Sequence, residues 1–247
     1  MTRGILIAGN ESSLFSAVAA EAVKRVESFS TAVIPNRFPL SEGGAVLPSK
    51  TETPAGAIPL SWNPASPISA RTLVLAAENR LEHINNAIIT CSPPAVFKTI
   101  EAITLEEMEI LVNDHIRGWF FLIRELILYF RRCGAGSLSL VAPEITPSGS
   151  KGAADLMSGN RKSVDQRSID KNSPADLVGP SASALFRTFA QSVLASTAGE
   201  LFQVMGFTTT EAGDEGDFAA WIFKIIDEGT EKNSGRWHRY SKLKFFR

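Results

Sequence analysis

The residues nearest the N-terminus have the order of a phosphate-binding turn but not its residue types. An apolar run, Gly4-Ile5-Leu6-Ile7-Ala8, continues as Gly9-Asn10-Glu11-Ser12-Ser13-Leu14-Phe15 into an alanine-rich segment. Turns that bind a dinucleotide pyrophosphate are rich in glycine, because glycine lets the backbone N–H groups approach the phosphates. Here Ser13 and Phe15 stand where the later glycines are expected. The segment therefore predicts a strand, a turn and a helix, in which the later phosphate-binding glycines of the turn are replaced.

A weaker anion site is still compatible with this turn. Gly9 supports a tight turn, and Ser12 and Ser13 offer hydroxyl and N–H groups at a helix N-terminus. A simple N-cap explains both serines equally well. Arg37 follows the predicted second strand, at a position that binds a 2′-phosphate in such folds, although a solvated arginine is the simpler interpretation. These four residues are the weak candidates for cofactor contacts.

Three further residues form a second candidate group. His115 and Arg117 lie two residues apart in a predicted helix, and Glu144 follows a predicted strand, at the edge where open α/β sheets bind ligands. A histidine beside an arginine and a carboxylate has the residue types of a rebuilt acid–base site. A structural histidine and an ordinary exposed loop acid explain the same residues, and we favour that explanation.

The composition limits the classes of partner and compartment. The chain has 247 residues, a formal net charge of -1 and 44% hydrophobic residues, which indicates a globular protein without global attraction to nucleic acid or membrane. Cys91 and Cys133 lack metal or redox spacing, and both are expected to be buried free thiols. No metal site, targeting signal or membrane-spanning segment is predicted, so we expect a cytoplasmic protein.

Hydrophobic periodicity predicts alternating strands and helices. Strands are expected at 5–8, 29–35, 57–61, 86–91, 137–142, 201–207 and from about 235, and helices from Ser12 or Ser13 to about 26 and at 69–81, 104–132, 181–200 and 214–228. This order predicts an α/β fold of the Rossmann type, with a doubly wound, mainly parallel sheet covered by helices on both faces. We expect a single domain with a polar insertion at about 144–179 and a basic C-terminal tail at about 232–247.

Several of these segments together resemble the short-chain dehydrogenase/reductase family over nearly the whole chain. The resemblance rests on residues 57–63 (AIPLSWN), 84–93 (INNAIITCSP), 115–121 (HIRGWFF), 134–141 (GAGSLSLV) and 180–184 (PSASA). Aligned in this way, His115 stands at the family's active-site asparagine and Pro143 at its catalytic serine. Pro180 and Ala184 stand at the tyrosine and lysine of its Tyr-x-x-x-Lys segment.

The resemblance implies a fold that transfers hydride from NAD or NADP, but these substitutions remove the groups that carry the reaction. The family chemistry needs a phenol to protonate the substrate carbonyl and an ammonium group to lower the pKa of that phenol. Proline and alanine provide neither group. We therefore expect a degenerate member that is catalytically inactive and binds no cofactor.

Two surfaces are predicted to contact partners. The 104–132 and 181–200 helices correspond to the helices that build the family's four-helix interface, so the resemblance implies a homodimer or homotetramer. The expected interface residues are Trp119, Phe120, Ile123, Leu126, Ile127, Phe130, Leu185, Phe189 and Val193. An insertion that covers this surface within one subunit is the alternative. The basic tail is expected either to bind an acidic or anionic partner or, as we favour, to form a last strand with a basic end packed on a neighbouring subunit.

Three functions follow from the sequence. The first is an inactive protein that acts as an oligomeric scaffold or protein-interaction module. The second is a divergent NAD(P)-dependent oxidoreductase with a site rebuilt around His115, Arg117 and Glu144. The third is a binder of a small ligand or nucleotide at Gly9 to Ser13 without turnover. We adopt the first and keep the other two as alternatives, which an open cleft with convergent polar groups would favour.

Overall fold

The computed structural model describes residues 3–25, 28–34, 56–93, 96, 98–144, 178–210 and 213–242. Arg37, residues 145–177 of the predicted insertion and the last five residues of the tail lie outside this part of the chain. Within it, seven strands form one sheet in the order β3-β2-β1-β4-β5-β6-β7. The strands are β1 (Gly4–Asn10), β2 (Ser28–Ile34), β3 (Ile58–Pro59), β4 (Asn86–Thr90), β5 (Ser137–Val141), β6 (Gln203–Thr209) and β7 (Arg236–Tyr240).

Every neighbouring pair of strands is parallel, which confirms the predicted doubly wound α/β fold. The helices are α1 (Ser13–Lys24), α2 (Pro67–Leu81), α3 (Leu105–Val112), α4 (Gly118–Cys133), α5 (Val178–Ser196) and α6 (Glu215–Glu228). Strand β1 pairs with β2 on one side and with β4 on the other, so the chain reverses direction across the sheet there. The carboxyl ends of β1 and β4 therefore form the switch point, where open α/β sheets bind ligands.

Two apolar layers hold the helices against the sheet. Helices α2, α4 and α5 cover one face with a cluster that includes Trp119, Phe130 and Phe186, whereas α1 and α6 cover the other face with Phe15 and Phe218. Burial of such side chains is the main favourable term in folding. Among the described helices, none is long and apolar enough to cross a membrane.

The predicted 104–132 helix is interrupted, and this corrects the sequence interpretation. Thr104 forms a capping box with Glu107 at the start of α3, a pattern that the sequence shows within four residues. A π-helical turn, Asn113–Arg117, then separates α3 from α4. The wider turn brings Asp114 and His115 into the interior, where both are buried. Such π-turns inside helices are typical of functional sites, and the apolar periodicity of the sequence gave no sign of this one.

Most of the predicted interface residues are buried within their own subunit. Trp119, Ile123, Leu126 and Phe130 belong to the core against the sheet, and Val193 of α5 joins them. Their spacing of three or four residues places them on the inner face of α4. Phe120 is 50% exposed and Leu185 is also exposed, while Ile127 and Phe189 are partly buried. A surface contact through α4 and α5 is therefore limited to these last four residues.

The two cysteines differ in their environments. Cys91 is buried as predicted, and burial raises the pKa of its thiol far above the usual range. Cys133 is exposed, contrary to the prediction, because it lies at the C-terminal end of α4, just before the left-handed C-cap Gly134. Glycine tolerates that backbone conformation at no steric cost, so the helix ends there.

The described part of the basic tail belongs to the sheet. Residues Arg236–Tyr240 form β7, paired with β6 at the edge. Arg239 binds Glu144, and Lys242 lies 2.8 Å from a carboxylate oxygen of Asp214. The Tyr240 hydroxyl donates to the same Asp214 side chain at 3.1 Å. The predicted last strand is confirmed. Acids of the same chain pair with two cations of the tail, and its packing on a neighbouring subunit stays a prediction.

Candidate functional site at the β1–β4 switch point

Two N–H groups at the turn between β1 and α1 are used within the fold. Ser12 is the N-cap, and its hydroxyl oxygen accepts a hydrogen bond from the Phe15 N–H at 3.1 Å. The Glu11 N–H donates to the Ile34 carbonyl of β2 at 3.0 Å. N–H groups at a helix N-terminus bind a phosphate when they point at it. Here the Phe15 N–H is bound by the cap, and the Glu11 N–H is bound by the neighbouring strand.

Phe15 fills the space above Gly9. Its side chain is 1% exposed and belongs to the core between α1, α6 and the sheet. A Cβ atom at Gly9 would lie only 2.7 Å from Phe15 Cδ2 and would also overlap the Thr90 hydroxyl. The glycine is therefore required for internal packing. In a glycine-rich phosphate turn, by contrast, the missing side chain leaves room for a ligand.

A carboxylate lies beside the same helix N-terminus. Ser13 Oγ donates to Glu215 Oε1 at 3.2 Å, and Glu215 is in the first turn of α6. Glu11 is also in this turn. A negative side chain near a helix N-terminus is favoured by the helix dipole, and it opposes the approach of an anionic phosphate. Electrostatics and packing at this turn therefore both disfavour the binding of a phosphate.

His115 is held in a buried polar contact across the switch point. Its Nδ1 atom lies 3.2 Å from Nδ2 of Asn10, the last residue of β1. The side-chain amide oxygen of Asn10, Oδ1, accepts a hydrogen bond from the Ser92 N–H at 3.3 Å. Ser92 lies just after β4. Since that contact orients the amide with Nδ2 toward the histidine, Nδ1 is the acceptor and the ring proton of the neutral tautomer is on Nε2. His115 thereby joins the π-turn to the ends of β1 and β4.

Of the other three substituted positions, Pro143 makes a structural contact. Pro143 follows β5, and its carbonyl accepts a hydrogen bond from the Ser183 hydroxyl of α5 at 3.2 Å. Pro180 is partly buried near the start of α5, and Ala184 is exposed on that helix. None of these three substituted residues carries an ionisable side chain. The Ser183 contact fastens α5 to the end of β5.

Glu144 is part of an ion-pair cluster. Its two carboxylate oxygens accept from Arg187 at 3.1 Å and from Arg239 at 3.4 Å. The Arg187 guanidinium also lies 5.8 Å from the centre of the Trp237 ring. This cluster ties β5, α5 and β7 together. With two arginines on one carboxylate, Glu144 is engaged as a structural acid rather than left available as a base.

The three residues of the predicted rebuilt site each bind different partners. Arg117 is exposed, donates to Asn113 at 3.1 Å and lies over the Phe121 ring. His115 binds Asn10, and Glu144 binds arginines of other elements. Among the described residues, no group of three or more His, Cys, Asp or Glu side chains has the arrangement of a metal site.

The sequence interpretation missed Asn10, Ser92 and Glu215. Asn10 lies directly after the buried strand, which was the available signal for a residue at the ligand-binding edge. Its partners are 82 and 105 residues away along the chain, so periodicity could not identify them. Glu215 is likewise 202 residues from Ser13.

The whole arrangement is similar to solved structures of one family. A short-chain dehydrogenase from Bacillus anthracis has a TM-score of 0.67 at 10% identity, covering 99% of this chain and 97% of its own. One from Streptomyces avermitilis has a TM-score of 0.63 at 14% identity, covering 100% and 90%. Serine dehydrogenase from Escherichia coli has a TM-score of 0.62 at 8% identity, covering 98% of both chains.

The chain has the short-chain dehydrogenase fold. No protein-family model matches the sequence, and no curated protein matches it. Sequence identities of 8–14% show the fold alone, because one fold carries many unrelated functions. Within the short-chain dehydrogenase fold, the switch point of this chain carries Asn10 and His115 in contact with each other, with Phe15 buried beside Gly9.

Proposed function

We propose that this chain is a catalytically inactive protein with the short-chain dehydrogenase fold that acts as an oligomeric scaffold and protein-interaction module. The observation that carries the proposal is the packing of Phe15 against Gly9 at the phosphate turn. A bound pyrophosphate needs the backbone at this position to be accessible. Phe15 packs against this glycine from the core under α1, and Glu215 beside the turn adds a negative charge. The residues present do not fit NAD or NADP held in the manner of a glycine-rich turn.

The substituted family positions in the described part of the switch point supply no acid–base pair for hydride chemistry. Pro180 and Ala184 cannot donate a proton, and Pro143 offers only its carbonyl, which Ser183 already binds. His115 Nδ1 is engaged by Asn10, and Glu144 by two arginines. A general acid or base must reach the proton that it transfers. In this chain the polar groups instead connect the elements of the fold to each other.

An exposed apolar surface lies on the outer side of α4 and α5. Phe120 is half exposed, and its ring centre lies 5.6 Å from that of Phe189 on α5. Leu185 is exposed nearby on α5, and Ile127 is partly buried on α4. Aromatic and aliphatic side chains of this kind are typical of the buried centre of a subunit interface. We propose that these four residues, defined here as the α4–α5 patch, form a homodimer or homotetramer contact.

The basic tail contributes less to partner binding than its sequence suggests. Arg239 and Lys242 are paired with acids of the same chain. Arg236 is exposed at the start of β7 and has no ion pair within the described part of the chain. Arg236 and the likewise exposed Lys232 are the charges of the described tail that an acidic partner would contact, and single exposed charges contribute little binding energy.

Light scattering of purified variants tests the proposed assembly. The wild-type protein is expected to have the mass of a dimer or tetramer, and Phe120→Asp is expected to be monomeric because it places a charge in the α4–α5 patch. Leu201→Asp is the matched control, since Leu201 is 84% exposed outside the patch. A monomeric wild-type protein, or equal assembly of both variants, would contradict the proposal.

A further inference from the structure

A groove separates α2 and α4 on the flank of α4 opposite to the α4–α5 patch. Its volume is about 530 Å³, within the range of binding sites for small ligands and peptides. Both helices connect parallel strands on the same face of the sheet, so they run in the same direction. The walls are formed by Pro67, Ile68, Arg71, Val74 and Leu75 of α2 and by Arg124, Glu125, Leu128, Tyr129 and Arg132 of α4.

The groove concentrates exposed apolar side chains. Among the described residues, nine large hydrophobic side chains are exposed, and three of them line this groove: Ile68 at 76%, Leu75 at 42% and Leu128 at 45%. Single exposed hydrophobic residues are ordinary, whereas a contiguous group beside charged residues marks an interaction surface. Since these side chains remain open to solvent along the groove, the shape suits an elongated occupant better than an enclosed small molecule.

The charges along the groove are unequal. Three arginines and one glutamate line it. Arg124 binds the adjacent Glu125 at 2.7 Å, and Arg132 binds both oxygens of Glu78 at 2.8 and 2.9 Å. Arg71 has no hydrogen bond or ion pair within the described part of the chain. The groove therefore offers a positive charge at Arg71 that a carboxylate of a partner can neutralise.

The floor of the groove is held in place before any partner binds. The Tyr129 hydroxyl accepts the Ile84 N–H at 3.0 Å, and the Arg132 guanidinium lies 5.3 Å from the centre of the Tyr129 ring. Burial raises the pKa of Tyr129 to about 12, so the hydroxyl stays protonated at neutral pH. A preformed site reduces the entropy lost on binding.

We propose that the α2–α4 groove binds an acidic amphipathic helix of a partner protein. Leucine-like residues of that helix, spaced three or four apart, would contact Ile68, Leu75 and Leu128, while a carboxylate on the border of its apolar stripe would pair with Arg71. The proposal rests on the proposed function only in that this chain acts by binding other proteins. Its surface is separate from the α4–α5 patch, so the two can be tested independently.

Fluorescence anisotropy with a defined peptide tests this inference. The probe is a labelled helical peptide of roughly 18 residues, long enough to be helical in water, made of alanine with leucines along one face and glutamates beside them. Saturable binding is expected, and a peptide with lysine in place of glutamate is expected not to bind. Arg71→Glu should weaken binding by about fivefold and Leu128→Asp by about tenfold.

Two matched controls locate the effect. Arg236→Glu reverses an exposed arginine and Leu201→Asp places a charge at an exposed leucine, both outside the groove, and neither should change the affinity. Equal losses in groove and control variants, equal binding of the lysine peptide, or no saturable binding of the glutamate peptide would overturn the inference. Loss of binding to anionic vesicles in Arg71→Glu, without peptide binding, would assign the groove to a membrane surface instead. These results do not depend on the oligomeric mass, so either proposal can fail alone.

Discussion

Two apolar regions of this molecule differ in their exposure to solvent. At the β1–α1 turn, Phe15 is 1% exposed and packs onto Gly9, whereas on the outer side of α4 Phe120 is 50% exposed beside Phe189. Both are phenylalanines near a helix N-terminus. The first belongs to the core under α1, and the second is exposed on the outer side of α4. This difference supports the proposal that the chain binds partners through its helices and not through its phosphate turn.

The largest effect is expected from a pair of neighbouring residues on α4. Trp119→Ala should destabilise the protein by about 3–5 kcal/mol, because the buried ring fills the core beside Trp62 and Phe186. Phe120→Ala should cost less than about 1 kcal/mol in the isolated subunit but weaken association. Urea denaturation at low protein concentration measures the first effect and light scattering the second. Equal destabilisation by the two variants would remove the distinction between core and surface on this helix.

The packing at the β1–α1 turn is tested by adding one methyl group at Gly9. Gly9→Ala should destabilise the protein by about 1–3 kcal/mol, since the new Cβ would overlap the Thr90 hydroxyl and the Phe15 ring. Gly216→Ala is the control, because no atom lies within 4 Å of a Cβ at that position in the first turn of α6. Denaturation midpoints compare the two. A Gly9→Ala protein as stable as wild type would mean that the turn has free space and that Phe15 does not close it.

The smallest effect is expected at the capping box of α3. The Lys98 ammonium and the Thr104 N–H hold the pKa of Glu107 below its usual 4.5. A carboxylate with a lowered pKa stabilises the folded state above its unfolded pKa and loses that contribution as the pH falls. Lys98→Met should therefore cost under about 1 kcal/mol at pH 7, and the difference from wild type should shrink below about pH 4.5.

Lys232→Met is the control for the pH series, because Lys232 is exposed and has no ion pair in the part of the chain that the structure describes. Denaturation at a series of pH values compares the three proteins. A Lys98→Met effect that stays constant down to pH 3 would assign the loss to the methylene contacts of Lys98 instead of its charge.

The sequence allowed the fold to be predicted because its signals are local. Alternation of buried runs such as β4 with amphipathic helices requires no long-range information, and the Thr104–Glu107 capping box was readable within four residues. The substitution of glycine by Phe15 was likewise visible directly, and the structure explains it as packing. The predicted order of seven strands and five helices differs from the structure mainly at the π-turn, where one predicted helix becomes two.

The details of the site depend on contacts between distant residues. His115 was identifiable as a substituted position, but its partner Asn10 is 105 residues away. The apolar pattern of α4 also does not separate the residues that pack on the sheet from those that face outward. Trp119, Ile123 and Leu126 point to the sheet, and Phe120 does not. Only the packing of the helix on the sheet determines which of its apolar residues are buried and which are exposed.

Titration of the purified protein with NADH and NADPH, by calorimetry and thermal shift, tests the central claim most directly. The account predicts no saturable heat and no change in melting temperature up to millimolar cofactor, because Phe15 and Glu215 close the phosphate turn. Saturable binding with a matching rise in melting temperature would contradict it, since a ligand raises stability only by binding the folded state. The proposed function would then give way to a divergent oxidoreductase or a nucleotide-binding protein.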